Sequence, residues 1–230
     1  MLFFIDIGNT RIKYCVNQEV LTLNAVDYQQ LPALLAILRQ QASRLLVTAG
    51  RSKRACRALS DINAFAKQSG ISTATVEVKP QLLKINYHDS KQFGADRFLH
   101  LLAGRQHFQQ HFCVISCGTA ITLDFYTQQH IGGMIAPGLG MAKDLLSKKA
   151  GLHKIEKPTS ILGNDSATSI GSGIYFGYKN LIYGSIREVE KKLNLSFQLI
   201  FTGGDAELLS NGNIVINELL FKGMRIYDYH

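Results

Sequence analysis

Apolar residues in the first half of the chain follow two different periods. Apolar and polar residues alternate over residues 3–16, on both sides of a Gly-Asn pair. This pattern predicts a strand, a tight turn and a second strand. Apolar positions spaced three and four apart predict amphipathic helices over residues 31–38, with Pro32 near the start, and over residues 55–66, closed by Gly70. The other elements predicted in this half are strands over 45–49 and 73–78, a loop over 79–93 and a helix through 98–102.

The second half of the chain starts again with strands. The predicted elements are, in order, strands over 112–115, 121–126 and 131–136, a helix over 141–149, a loop over 150–165, a long helix over 174–195, a strand over 197–201 and a helix over 218–225. This succession of strand groups and helices predicts an α/β protein with mixed sheets.

A weak internal repeat relates the two halves. When residues 3–16 are placed over residues 113–126, Gly8 falls on Gly118 and small polar residues flank each glycine. Two similar strand–turn–strand units, half a chain apart, predict two lobes of like fold. A chance match between two strand pairs would produce the same likeness, so the repeat alone leaves both explanations open.

Length and composition fit two small lobes, which we place at residues 1–108 and 109–230. Hydrophobic residues make up 46% of the chain, enough for a packed core. No apolar run approaches the ~18 residues that span a bilayer. The N-terminus lacks the basic start and long apolar stretch of a signal peptide, so we expect a soluble, cytoplasmic protein.

Charge and cysteine content narrow the function only a little. The net charge of +8 favours anionic partners such as nucleotides, acidic metabolites or nucleic acid. The 4 cysteines include no Cys-x-x-Cys pair and no zinc-like spacing, so we expect buried, unpaired thiols.

Glycine turns at the ends of predicted strands are candidate phosphate sites. Gly8 has no β-carbon, so a ligand can approach its backbone closely, and Asn9 and Thr10 add side-chain donors. Asp6 at the strand end can orient magnesium, usually through water. With the similar turn at Gly118, two hairpins could hold a triphosphate from both sides. A plain β-hairpin explains either turn as well, although an acid on a buried strand is costly without a partner.

Residues 94–97 read Gly-Ala-Asp-Arg at the expected start of a helix. Asp96 could act as a general base that takes a proton from a substrate hydroxyl, and Arg97 could bind a carboxylate with its planar fork. The alternative is a helix capped by Asp96 with Arg97 in solvent. Further glycine-rich turns, which either a ligand or a simple change of direction would explain, lie at 132–133, 137–140 and 202–205.

Taken together, these motifs resemble those of the type III pantothenate kinases. The family pattern is Asp-x-Gly-Asn-Thr, Gly-x-Asp-Arg, Asp-x-Gly-Thr-Ala-x-Thr, Gly-Gly-x-Ile-x-Pro-Gly and Thr-Gly-Gly, in this order along the chain. The corresponding segments here are residues 6–10, 94–97, 116–122, 132–138 and 202–204. The likeness covers essentially the whole sequence.

The resemblance implies an actin-like ATPase architecture, shared with acetate and sugar kinases, in which two ribonuclease-H-like lobes combine mixed sheets with helices. It implies a homodimer that transfers phosphate from ATP to pantothenate, giving 4'-phosphopantothenate, the first step toward coenzyme A. It also implies magnesium with the nucleotide and a monovalent cation, potassium or ammonium. Neither nucleic acid nor a membrane is implied as a partner.

The same resemblance assigns individual residues, with Asp96 as the proton acceptor and Asp6 next to magnesium. The residues implied for ATP are Asp6, Ile7, Gly8, Asn9, Thr10, Arg11, Ile12, Lys13, Gly118 and Thr119. Those implied for pantothenate are Tyr87, Gly94, Ala95, Asp96, Arg97 and Ser166.

Two positions depart from the family pattern. Ser116 stands where the family usually has an aspartate associated with the monovalent cation, and a neutral hydroxyl is a weaker ligand. Ser166 stands where the family often has a threonine that reaches pantothenate in the partner subunit, and it keeps the hydroxyl group.

Two other functions remain open at this stage. A metal-dependent nuclease could use Asp6, Asp96 and Asp124, but its acids must converge within ~4 Å of two metals. A non-catalytic relative of the kinases, acting through binding, would be recognised by ATP binding without turnover.

Overall fold

The computed structural model describes residues 1–151 and 160–230. They form two compact units, Met1–His107 with Glu218–His230, and Phe108–Asn217. The loop predicted over 150–165 falls largely on residues 152–159, outside the described residues.

Each unit contains one five-stranded mixed sheet. The strands are β1 (Leu2–Ile7), β2 (Ile12–Val16), β3 (Asn24–Val26), β4 (Arg44–Ala49) and β5 (Ser72–Thr75) in the first unit, and β6 (Phe112–Cys117), β7 (Ala120–Tyr126), β8 (His130–Pro137), β9 (Gln198–Thr202) and β10 (Ile214–Val215) in the second. The helices are α1 (Leu31–Gln41), α2 (Lys53–Gln68), α3 (Ala95–His107), α4 (Leu139–Ala150), α5 (Ser166–Leu193), α6 (Ala206–Leu209) and α7 (Leu219–Asp228).

The two sheets have the same topology. Their strand orders are β3-β2-β1-β4-β5 and β8-β7-β6-β9-β10. In each sheet the first three strands pair antiparallel and the last two continue in parallel from the first strand. The predicted α/β class with mixed sheets and two similar folding units is therefore confirmed.

The first unit packs two helices onto one face of its sheet. Alternate residues of a strand share a face, so Phe3, Ile5 and Ile7 of β1 point together into the core. Leu34 of α1 and Ile62 of α2 are fully buried in the same cluster. Each such side chain contributes roughly 1.5–3 kcal/mol of stability by leaving water.

The C-terminal helix clusters with the first unit, whereas the lobes predicted from the sequence were residues 1–108 and 109–230. Helix α7 packs on α3, where Phe98 and Tyr227 make an edge-to-face contact with ring centroids 6.5 Å apart. A β-carbon on Gly223 would lie 2.6 Å from the carbonyl carbon of Leu99, so the two helix backbones touch directly. The apolar pattern of α7 predicts that one face of the helix is buried, but it does not indicate which unit covers that face.

Helix α5 begins well before its predicted start at residue 174, at Ser166. Asp165 caps it by accepting a hydrogen bond from the Thr168 backbone N–H at 2.8 Å. The first two turns contain Gly171 and Gly173, which interrupt the apolar period on which the prediction depended. None of the helices in the described ranges has the length and apolar character needed to cross a membrane.

The contact between α3 and α7 can be tested with one substitution. Alanine is intrinsically better than glycine inside a helix by about 1 kcal/mol. We nevertheless expect Gly223→Ala to lower the free energy of unfolding by about 2 kcal/mol, because the new methyl group collides with the Leu99 backbone. Urea denaturation of the purified protein measures the difference.

The matched control is Gly177→Ala in the middle of α5, where an added β-carbon would meet open space among the described residues. This variant should gain about 0.5–1 kcal/mol. A gain of the same size at Gly223 would contradict the close packing of the two helices.

Candidate active site

A tight turn joins β1 to β2 at one end of the first sheet. The Gly8 backbone N–H donates a hydrogen bond to the Arg11 carbonyl oxygen at 3.1 Å. A β-carbon on Gly8 would lie 3.1 Å from the same oxygen, so any larger residue would crowd the turn. Asn9, Thr10 and Arg11 are exposed. The turn thus presents polar groups and accessible backbone, as a phosphate-binding loop requires.

Two ladder pairs lie directly behind this turn. Ile7 pairs with Ile12, and both side chains are fully buried in the core. Asp6 pairs with Lys13, and residues directly opposite on antiparallel strands have side chains on the same face. The isoleucines therefore anchor the hairpin, while Asp6 and Lys13 form the charged pair at its base.

The carboxyl group of Asp6 has a strongly raised pKa. Burial raises its pKa to about 7, the Lys13 ammonium group opposes this rise, and the negative charge of Asp96 adds to it. The influence of Asp96 shows that the hairpin and the start of α3 are electrostatic neighbours within the first unit. A cation placed between the two acids would relieve both the desolvation and the repulsion.

Asp96 lies in the first turn of α3 and is exposed. A β-carbon on Gly94 would lie 2.5 Å from Asp96 Oδ1, so the glycine leaves the space that this carboxylate occupies. The helix begins at Ala95, before the acid, so Asp96 is not the residue preceding the helix that a capping role would require. Its carboxylate remains accessible to a substrate hydroxyl.

Arg97 is buried, which excludes the alternative of a solvated side chain. Its Nη1 donates a hydrogen bond to the Tyr87 hydroxyl at 3.0 Å. The guanidinium carbon lies 4.4 Å from the Phe93 ring centroid, and the Tyr87 and Phe93 rings meet edge to face at 5.0 Å. This aromatic pair fixes the plane of the guanidinium group through cation–π contact.

Tyr28 and Gly50 support the hairpin from behind, and the sequence analysis missed both. The Tyr28 hydroxyl donates a short hydrogen bond to the Gly8 carbonyl oxygen, and the Arg54 guanidinium carbon lies 4.8 Å from the Tyr28 ring centroid. Burial raises the pKa of Tyr28. A β-carbon on Gly50 would lie 2.8 Å from Asn9 Oδ1, so the Asn9 side chain rests on the glycine.

Phe93 was missed too, although its position next to the Gly-x-Asp-Arg motif was a usable signal. Gly50 also carried a signal, because it follows a buried strand at the edge where parallel strands present ligand-binding loops. Tyr28 stands in a short 3-10 turn with no local pattern that marks it.

Three glycine motifs of the second unit converge on one turn. The Gly138 N–H donates to the Thr119 carbonyl oxygen at 2.9 Å, and a β-carbon on Gly138 would collide with the Gly118 carbonyl oxygen. Gly203 has a φ of +99°, and a β-carbon there would lie 2.5 Å from the Cys117 carbonyl oxygen. These predicted motifs are therefore brought together, with the exposed Thr119 at the turn.

Ser116 lies in a row of hydroxyl groups on three adjacent strands. It pairs with Thr122 of β7 on one side and with Thr202 of β9 on the other. Oxygen dipoles of this kind can coordinate a monovalent cation without a formal charge. The three strands therefore present hydroxyl side chains and no carboxylate at this row.

Ser166 is the first residue of α5 and is exposed. It follows the capping residue Asp165, so its hydroxyl group is presented at the helix N-terminus. The structure places it in the second unit, apart in the chain from the other residues implied for pantothenate.

Asp124, the third acid of the nuclease alternative, has a different environment. It is buried in the second unit, and its Oδ1 lies 3.1 Å from His130 Nε2, which is also buried. Among the described residues, no group of three or more His, Cys, Asp or Glu side chains could hold a metal ion.

Solved structures share the fold over nearly the whole chain. A Campylobacter jejuni protein, named as a candidate Baf family transcriptional activator, matches with a TM-score of 0.67 and 19% identity over 97% of this chain and 96% of that one. A Sinorhizobium meliloti protein, named as a candidate 2-dehydro-3-deoxygalactonokinase, matches with a TM-score of 0.60 and 11% identity over 98% and 97%. The fold is that of the sugar kinases and actin-like ATPases.

Sequence comparison identifies the family within this class. The family model for type III pantothenate kinases matches residues 2–188. Type III pantothenate kinases of Dichelobacter nodosus and Acinetobacter baumannii are each 30% identical, over 97% of this chain and 96% of the first relative, and over 99% and 97% for the second. One from Sulfurihydrogenibium is 40% identical over 56% of this chain and 53% of its own length. The chain belongs to the type III pantothenate kinase family, whose members are phosphotransferases.

The raised pKa of Asp6 predicts a specific pH dependence of stability. In the unfolded chain this acid has its ordinary pKa of 3.8, whereas burial in the folded protein raises its pKa to about 7. The unfolded state therefore binds fewer protons between these values, and stability falls as pH rises from about 4 to about 7. Asp6→Asn removes the buried charge, so the variant should gain stability over the wild type at pH 8 and show a smaller gain at pH 5.

Urea denaturation at the two pH values, without nucleotide or magnesium, gives both differences. Asp61→Asn is the matched control, because Asp61 is an exposed acid on α2 of the same unit. It should change stability little at either pH. An equal effect of Asp6→Asn at pH 5 and pH 8 would contradict the proposed burial of the charge.

Proposed function

We propose that the protein transfers the γ-phosphoryl group of ATP to the primary hydroxyl group of pantothenate. The observation that carries the proposal is the proximity of two motifs in the first unit. Residues 50–51 donate hydrogen bonds to the carbonyl oxygen of Ile7 at the hairpin and to that of Gln92, just before the Gly-x-Asp-Arg motif, and the negative charge of Asp96 adds to the raised pKa of Asp6. Membership of the type III pantothenate kinase family supplies the substrate class.

In this proposal Asp96 accepts the proton of the attacking hydroxyl group. The hydroxyl oxygen forms a bond to the γ-phosphorus, the bond to the bridging oxygen breaks, and ADP leaves. Phosphoryl transfer depends mainly on positioning and charge stabilisation. The exposure of Asp96 supports its role, because a substrate can reach the carboxylate, and Gly94 leaves the space that this carboxylate occupies.

Asp6 is the group that we assign to magnesium, through water. The chemistry of the donor supports the assignment, because magnesium prefers hard oxygen ligands and keeps several waters. Burial and the nearby Asp96 make the ionised form of Asp6 costly, and a divalent cation would offset that cost. When bound with ATP, magnesium neutralises charge on the β- and γ-phosphates.

Arg97 and Tyr87 are assigned to the carboxylate end of pantothenate. The support is the fixed orientation of the guanidinium group, which stacks near Phe93 and donates to the Tyr87 hydroxyl. A guanidinium group held in one plane binds a carboxylate at little entropic cost. Because α3 begins at Ala95, Asp96 and Arg97 both lie in its first turn.

The remaining nucleotide contacts are assigned from the family resemblance. Residues 6–13 are assigned to the phosphates, and Gly118 and Thr119 are assigned to ATP, which the exposure of Thr119 allows. The hydroxyl row at Ser116 would hold potassium or ammonium through neutral oxygens, so we expect a weak dependence on this cation. Use of ATP agrees with the cytoplasmic location expected from the sequence.

A homodimer is the proposed assembly, formed through the second unit. Its edge strand β8 exposes Met134 and Ile135, and α4 exposes Met141 and Leu145. Exposed apolar side chains on an edge strand are an aggregation risk unless a partner covers them. A second copy would cover this face, and it would bring the Ser166 hydroxyl to the partner's pantothenate site.

The kinase activity is tested by ADP release with and without pantothenate, in potassium and in sodium buffer. We expect pantothenate-dependent release in the wild type and only a small effect of the cation. Asp96→Asn should lower kcat by a factor of ~10²–10⁴ and leave ATP binding intact, because only the proton acceptor is removed.

Asp61→Asn removes an exposed acid of the same unit and should keep full activity. If Asp96→Asn kept the kcat of the wild type, the assignment of Asp96 as the proton acceptor would be wrong. ATP binding without turnover in the wild type would favour a non-catalytic relative instead.

The dimer is tested by Ile135→Asp, which puts a charge on the exposed apolar face of β8, where Ile135 is 62% exposed. Light scattering after gel filtration should give the mass of a dimer for the wild type and of a monomer for this variant. Val20→Asp is the control, because Val20 is 74% exposed in the first unit and should not affect assembly. A dimeric Ile135→Asp variant would exclude this face.

A further inference from the structure

A long loop between β5 and α3 carries the aromatic residues of the site, and hydrogen bonds from other elements hold its backbone near its start, in its middle and at its end. Near its start, the Glu77 backbone N–H donates to the Tyr227 hydroxyl at 3.2 Å. In its middle, Arg105 Nη1 donates to the Leu82 carbonyl oxygen at 2.7 Å. At its end, one nitrogen of Arg51 binds two successive backbone carbonyls. Of these three backbone contacts, the one from Arg51 lies nearest in the chain to Phe93 and the Gly-x-Asp-Arg motif.

The contacts of Arg51 at this point are specific. Its Nη2 donates to the Lys91 carbonyl oxygen at 3.0 Å and to the Gln92 carbonyl oxygen at 3.1 Å. The two carbonyls belong to the short 3-10 turn Ser90–Gln92. Because a guanidinium group always carries its charge and several donors, it can hold adjacent carbonyls at any working pH.

The backbone next to Arg51 is attached to the phosphate hairpin. The Gly50 N–H donates to the Ile7 carbonyl oxygen at 2.8 Å, which extends the pairing of β4 with β1. Asn9 rests on Gly50, where a β-carbon would lie 2.8 Å from Asn9 Oδ1. Residues 50 and 51 therefore contact the hairpin on one side. On the other side they contact the end of the loop between β5 and α3, which we call the substrate loop.

We propose that Arg51 is a positioning residue, which holds the segment leading into Asp96 and Arg97 in register with the phosphate hairpin. Arg51 itself need not contact either substrate. It sets the position of Phe93, and through it the plane of the Arg97 guanidinium group and the start of α3. The inference deepens the proposed kinase function and rests on it.

The alternative role for Arg51 is general stabilisation of a surface loop. That role predicts a lower melting temperature and an equal effect on both substrates. Positioning predicts an effect on pantothenate and on kcat, with ATP binding unchanged, because the side chain contacts only the substrate loop. A shift of about 1 Å in a reacting group can cost a factor of about 10² in rate.

The first experiment is hydrogen exchange on the folded wild type and on Arg51→Ala, without substrates. The Gln92 and Phe93 amides are bonded to the Asp89 and Ser90 carbonyl oxygens, so their exchange reports on this turn. Both amides should exchange faster in the variant, while the β1–β2 hairpin amides keep their protection. Unchanged exchange at both amides would overturn the proposal, whatever the activity of the protein.

The second experiment is steady-state kinetics of pantothenate-dependent ADP release. Arg51→Ala should raise the KM for pantothenate and lower kcat, each by about tenfold, with the Kd for ATP within a factor of two. Arg51→Lys should be intermediate, since an ammonium group lacks the planar fork. Arg57→Ala is the matched control, because it removes an exposed charge from the same basic segment and should behave as the wild type.

The outcomes separate the two hypotheses. If the wild type shows no pantothenate-dependent release, the proposed kinase function fails, and hydrogen exchange still decides whether Arg51 orders the loop. If the wild type is active and Arg51→Ala keeps its KM and kcat, the positioning role is wrong. Equal weakening of ATP and pantothenate binding would also overturn it, in favour of general loosening.

Discussion

Asp6 stands at the carboxyl end of a buried strand, where its charge is poorly solvated, and the groups of the first unit's site are arranged around that charge. The position is set by the alternation of β1, which sends Ile5 and Ile7 into the core and leaves Asp6 on the opposite face. An isolated buried carboxylate would be too costly to keep ionised. Lys13 across the ladder offsets part of the cost, and Asp96 adds to it.

The poor solvation of the Asp6 charge lowers stability, and it also favours the binding of a cation. Burial and the nearby charge of Asp96 make the ionised form of Asp6 costly, so the cation-free protein loses stability that a bound cation would restore. Natural proteins commonly accept such costs at sites where the bound state recovers them. The hydrophobic anchors Ile7 and Ile12 provide the rigidity needed to hold the hairpin in this unfavourable state.

Sequence patterns predicted the local parts of this arrangement and missed the long-range ones. The strand–turn–strand at Gly8 follows from glycine and from period-two alternation, both of which are local. The stacking of Arg97 on Phe93 and the bonds from Arg51 to the 3-10 turn join residues whose partners no local pattern identifies. The docking of α7 on α3 was not predicted for the same reason, since it depends on the close approach of the two backbones at Gly223.

The two sheets share one topology, so the side chains at equivalent positions can be compared directly. In the first sheet, the three adjacent strands β2, β1 and β4 carry Lys13, Asp6 and Thr48 in one row. In the second, the equivalent strands carry only hydroxyl side chains at the row of Ser116. The same backbone frame therefore holds a charged row in one unit and a neutral row in the other. At this row, the desolvation cost that accompanies Asp6 in the first unit therefore has no counterpart in the second unit, because its three hydroxyl side chains carry no charge to desolvate.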